Sequence, residues 1–194
     1  MKKAAWIVIF CVVFIWSAIG PKEYFTWFLE VFPAMVAVLI LFYTEKSFPL
    51  TPLAYILILL HAIILMVGGH YTYAEVPFGD FFASGRNNYD KIGHLAQGFI
   101  PALIAREILI RQGVIQSKKW LSFMIVSTCL AISAFYELIE WWVAILSGES
   151  AEAFLGTQGY MWDTQSDMAL ALLGAILSLV LFSRLHDKQL TELT

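Results

Sequence analysis

Six stretches of the chain are almost continuously apolar, at residues 4–19, 24–43, 52–69, 92–110, 120–146 and 167–185, and short polar breaks separate most of them. A helix rises about 1.5 Å per residue, so roughly 20 apolar residues cross a hydrocarbon layer about 30 Å thick. The pattern predicts an all-α, polytopic membrane protein with about six transmembrane helices and a single transmembrane domain over residues 1–194. Two connections are longer than the rest. Residues 70–91 carry Pro77, Gly79 and Gly85, and residues 147–166 carry Gly148, Gly156 and Gly159. Their turn residues fit loops, and loops of this length are where function tends to concentrate.

Charge adds a direction. Lys2, Lys3, Lys46, Arg111, Lys118, Lys119, Arg184 and Lys188 share one side if the N-terminus is cytoplasmic, leaving Lys22, Arg86 and Lys91 opposite. The excess of cations on the cytoplasmic side of a membrane protein then predicts that both termini are cytoplasmic and both long loops lie outside. The first stretch also imitates a signal peptide, with Lys2-Lys3, an apolar run and the small residues Ser17, Ala18 and Gly20. Trp27, Trp120, Trp141, Trp142 and Trp162 fall near the expected interfaces, where indoles anchor.

Composition agrees: 60% of residues are hydrophobic, 14% are charged and the mean hydropathy is +0.74. A soluble domain is nearer half apolar and a quarter charged, so a water-soluble fold is excluded. The net charge of -3 and the lack of a Lys/Arg run exclude a nucleic-acid partner. Cys11 and Cys129 each sit mid-stretch and read as small buried hydrophobes, with no disulfide framework or thiolate metal site.

Ionisable side chains within a spanning segment cost about 2.5–3.5 kcal/mol each on insertion scales, so they are paired or functional by default. In the predicted orientation Glu30, Asp90, His94, Glu137, Glu140, Asp163 and Asp167 gather toward the outer face. Residues three or four apart share a helix face. Asp90, His94, Gln97 and Pro101 form one polar stripe, Ser133, Glu137 and Glu140 a second, and Asp163 with Asp167 a third if that helix begins early. Crowded carboxylates must be protonated, paired with Arg86 or Lys91, or bound to a metal. His70 and His94 bring nitrogen to the set, which suits zinc, manganese or iron, and a water on such a metal can be a nucleophile near neutral pH.

Three classes stay open at this point: an enzyme, a transport path and structural pairing without turnover. His186, and Glu107 with Arg106, sit at the cytoplasmic edge, where snorkelling and helix-dipole pairing explain them. Familiar signatures are missing: there is no HExxH, no GxSxG, and four histidines are too few for a histidine-box oxygenase.

Four strings occur in order: His70-Tyr71-Thr72-Tyr73-Ala74; Asp90-Lys91-Ile92-Gly93-His94 with Gln97-Gly98; Tyr136-Glu137-Leu138-Ile139-Glu140-Trp141; and Gly156-Thr157-Gln158-Gly159 leading to Trp162-Asp163-Thr164-Gln165-Ser166-Asp167-Met168. Together they make the chain, from about its third stretch onward, resemble the YjdF family of bacterial inner-membrane proteins. The resemblance implies a membrane location and a helical architecture and supplies no reaction. Asp90-Lys91 with His94, then Glu137, then Asp167 followed by Gly174, also shows a looser likeness to VanZ-like proteins, a hint of an envelope-linked role.

The expectation is thus a multi-pass protein of a bacterial inner membrane with an outward-facing His/Asp/Glu pocket for a divalent cation or polar head group. Its sharper form hydrolyses or modifies a lipid or lipid-linked envelope substrate. Metal ligands would be His70, Asp90, His94, Asp163 and Asp167, and Glu137 or Glu140 would be the general base. Arg86, Gln97, Gln158, Trp162 and Gln165 would bind substrate. The alternatives are a proton- or cation-coupled transporter and a non-catalytic membrane assembly protein. Membrane lipid is the expected partner, and Ala171, Gly174, Ala175 and Ser178 offer a small-residue face for a homo-oligomer through the last helix.

Overall fold

A computed structural model describes residues 3–81, 87–147 and 162–193. Each apolar stretch becomes a helix: α1 Lys3–Ala18, α2 Tyr24–Thr44, α3 Pro52–His70, α4 Tyr89–Arg111, α5 Lys118–Ser147 and α6 Asp163–Leu193. There is no strand among the described residues. Helices α2, α3, α5 and α6 are long and apolar enough to cross a membrane. α1 is apolar but only 16 residues long, and the 23 residues of α4 include Asp90, Lys91, Arg106, Glu107 and Arg111. The ends follow local chemistry. Gly20 and Gly113 adopt φ +63°, which lets the chain leave α1 and α4 in a left-handed turn that a side chain disfavours. Glu23 caps α2 by accepting bonds from the backbone N–H groups of Phe25 and Thr26.

Contacts divide the chain into two units. The first holds α1, α2, α3 from Ile58 onward, the loop after it, the first turn of α4 and the end of α5 from Ile139. Its core is Phe10, Val31, Ala34, Leu59, Ala62 and Met66. The rings of Trp6, Phe10 and Phe14 stack at 5.6 and 5.9 Å, and Trp27 tilts against Phe14 at 5.8 Å. Large apolar side chains on the outside, such as Val8, Val12, Phe42 and Tyr43, suit a lipid surround and not water. Cys11 lies on this outer side and is exposed, which corrects the expectation of burial; the core face of α1 is taken by Phe10 and Ser17.

The second unit holds Leu50–Leu57, α4 from His94, α5 up to Leu138, and α6. Ala102, Ile125, Cys129 and Ala175 form its core. Small residues bring α4 and α6 into backbone contact: a Cβ on Gly98 would lie 1.8 Å from the Ala171 carbonyl oxygen, and one on Gly174 would lie 2.2 Å from that of Leu95. The face Ala171, Gly174, Ala175 and Ser178 is buried, so the small side chains serve packing within the chain. With 31 residues α6 is about 46 Å long, well beyond a bilayer core of about 30 Å, and its polar ends extend past the apolar stretch.

Candidate functional site

α6 begins at Asp163, four residues before its apolar stretch, so Asp163 and Asp167 share a face and both are buried. The close approach of α4 and α6 then sets Asp167 against His94, and α5 supplies Glu137. The imidazole stands between the two carboxylates: Nδ1 is 3.9 Å from Glu137 Oε1, and Nε2 is 3.8 Å from Asp167 Oδ2. These side chains are 6%, 9% and 2% exposed, in the same order His94, Glu137, Asp167, so any charge they carry acts in a dry, low-dielectric setting. Both spacings exceed hydrogen-bond length, while Gln97, one turn along α4, sets its amide oxygen Oε1, an acceptor, 3.2 Å from Nδ1. An imidazole with acids on both of its nitrogens can hold a cation on one side and a proton on the other. Ser133, one turn before Glu137, is fully buried, and its Oγ makes no hydrogen bond among the described residues.

The remaining expected site residues are distributed as follows. Asp90 lies one turn before His94 on α4 and Glu140 lies one turn after Glu137 on α5; both belong to the first unit. Glu140 is buried and Asp90 half-buried. Trp162 and Gln165 are exposed at the start of α6. Arg86 and Gln158 lie outside the described residues. His70 ends α3 in the first unit, where its Nδ1 is 3.0 Å from the Ser17 carbonyl and its ring lies 4.6 Å from those of Trp16, tilted, and Tyr71, edge-on. The backbone carbonyl of His70 accepts from Lys22, and Lys22 pairs with Glu75 at 2.8 Å, so the loop after α3 is folded back on the α1–α2 turn.

A second buried cluster was missed by the sequence reading. Glu107 and His186 are fully buried, contrary to the expectation of snorkelling at an edge. Glu107 accepts from the Thr51 N–H at 2.9 Å, the Thr51 hydroxyl at 2.7 Å, Arg111 at 2.9 Å and His186 Nε2 at 3.1 Å. Arg106 reaches His186 Nδ1 at 3.0 Å and pairs with Asp187. A guanidinium only donates, so Nδ1 accepts and the proton sits on Nε2, which makes His186 a neutral imidazole with a defined tautomer. Gln189 accepts from Leu53 N–H at 2.9 Å, and the Thr51 hydroxyl accepts from Ala54 N–H, so α4 and α6 help to satisfy the start of α3. The available signal was Thr51-Pro52 as a helix start with Glu107 and Arg111 one turn apart; which side chains meet across 56 and 79 residues is not written in local spacing.

No solved structure matches this chain. It is 50% identical over 182 residues to the inner membrane protein YjdF of Escherichia coli (strain K12), a stretch covering 92% of this chain and 87% of that one. Four membrane-length apolar helices and this relative agree with the reading of a multi-pass inner-membrane protein. With the family described as predicted membrane protein (DUF2238) matching residues 2–188, the chain belongs to that family.

Proposed function

We propose that this inner-membrane protein binds a divalent cation or the polar head group of a membrane lipid at the His94 imidazole, which stands between the carboxylates of Glu137 and Asp167. The observation that carries the reading is one buried imidazole within 4 Å of two buried carboxylates, each from a different helix. Asp163 has the one-turn spacing from Asp167 to add an oxygen ligand. A nitrogen-and-oxygen set of this kind suits zinc, manganese or iron. In its sharper form the site hydrolyses or modifies a lipid-linked envelope substrate, with Glu137 as general base and Gln97, Trp162 and Gln165 on the substrate side. Elemental analysis of detergent-purified protein tests the cation: wild type is expected to carry about one divalent metal per chain, and His94→Ala to lose it. A wild type lacking metal after purification in metal-supplemented buffer removes the cation and leaves the head group.

A proton- or cation-coupled transporter is the second reading. It is favoured by the Glu107–His186 cluster, because α4 and α6 thereby carry buried ionisable groups at two levels. Uptake by proteoliposomes under an imposed pH gradient, abolished in both Glu137→Gln and Glu107→Gln, is its expected signature. An assembly role through α6 would use Leu173, Ile176, Val180 and Leu181, which face outward, since the small-residue face is occupied by α4. Cross-linking through cysteines placed at those positions would detect it.

A further inference from the structure

The two nitrogens of His94 are not equivalent, and their difference assigns roles to the two carboxylates. A neutral imidazole has one N–H and one lone pair. Gln97 Oε1, 3.2 Å from Nδ1, is an amide oxygen and can only accept, so Nδ1 carries the hydrogen. The lone pair is then on Nε2, on the side of Asp167 Oδ2 at 3.8 Å. An imidazole lone pair beside a carboxylate oxygen is an arrangement that a cation between them stabilises.

Bond lengths allow it. Zinc bonds run to about 2.0–2.1 Å for histidine nitrogen and about 2.0–2.2 Å for carboxylate oxygen, so one ion reaches both atoms whenever they lie closer than about 4.2 Å. The Nε2–Asp167 gap of 3.8 Å meets that limit. The Gln97 contact fits that arrangement, because a metal-bound histidine characteristically donates its other ring N–H to an oxygen that fixes the tautomer and ring plane. Glu137 Oε1 stands 3.9 Å from Nδ1, the nitrogen that bears the hydrogen, and so has no lone pair of His94 to share a metal with.

Building on the cation reading above, we infer that the ion is held by His94 Nε2 and Asp167, that Gln97 is the positioning residue behind it, and that Glu137 stays outside the coordination sphere. Cobalt(II) titration of chelator-stripped, detergent-purified protein tests this by calorimetry, with size-exclusion elution and thermal unfolding checking that each variant is folded. Asp167→Asn and His94→Gln are expected to weaken cobalt binding by more than about 100-fold, Gln97→Ala by about 10- to 100-fold, and Glu137→Gln by less than about threefold. Gln97→Glu, which keeps an acceptor oxygen opposite Nδ1, is expected to restore binding, which a merely structural role for Gln97 would not require. Binding lost in Glu137→Gln but kept in Asp167→Asn, or lost equally in both, overturns the assignment and leaves the cation reading standing. Absence of cobalt binding by folded wild type overturns both.

Discussion

The second unit contains two buried polar clusters made of the same residue types, a histidine with carboxylates from neighbouring helices, and their geometries differ. Around Glu107 the contacts lie at 2.7–3.2 Å, and two arginines, a threonine and a backbone N–H join them. Around His94 the acid–imidazole spacings are 3.8–3.9 Å. Glu107 and Asp187 are matched in charge by Arg106 and Arg111, and His186 is neutral, so that cluster closes on itself as a lock. The other sets one imidazole between two acids at 3.8 and 3.9 Å, longer than a direct hydrogen bond between them. Residue type alone therefore does not separate a lock from a site; distance does.

The comparison can be broken at the lock first. Glu107→Ala leaves Arg111, His186 and the Thr51 N–H facing a buried gap, and removing one partner of a buried ionic network costs about 3–5 kcal/mol. The expected result is a large drop in thermal stability in detergent and low accumulation in the membrane; unchanged melting would show that the network is not a lock. Next in size is the seam between the clusters. Gly98→Val drives a branched side chain into the Ala171 backbone, which cannot retreat as a flexible side chain would, and overpacking of this kind costs about 1–3 kcal/mol or more. Gly113→Ala, a glycine at a positive φ with open space around it, should cost about 1 kcal/mol and so calibrates the seam effect.

The His94 cluster should respond in the opposite sense. Glu137→Gln changes charge but little shape, and stability is expected to move by less than about 1 kcal/mol in apo protein, against the several expected for Glu107. A melting shift as large as that of Glu107→Ala would erase the distinction between the clusters.

The smallest effect lies in the first unit. Burial alone would push the Glu23 carboxyl up, but bonds from the N–H groups of Thr26 and Phe25 outweigh it and hold the group below its ordinary value. A carboxyl lowered in the folded state adds stability above its unfolded pKa and loses it as pH falls through the folded one. Glu23→Ala should therefore cost about 0.5–1 kcal/mol at neutral pH, discounted for an exposed group, with the difference fading in acid. A gap between variant and wild type that widens on acidification would reverse the sign and refute the cap.

Much of this architecture was legible from one dimension. A side chain's transfer preference depends on its own chemistry, so apolar runs near 20 residues announce membrane helices without reference to neighbours, and all six became helices. The one-turn spacing of Asp163 and Asp167 likewise predicted a shared face once α6 began early. Partners across helices were another matter. That Asp167 meets His94, that Glu107 meets His186, and that Thr51 is held by α4 all depend on how closely two backbones approach, and that approach is set by Gly98 and Gly174 sitting opposite Leu95, Phe99 and Ala171. The sequence by itself determined which segments are helical and which residues are costly to bury. Only the tertiary structure decided which of those residues share their burial, because pairing energy falls off over a few ångströms and tens of residues along the chain carry no record of such distances.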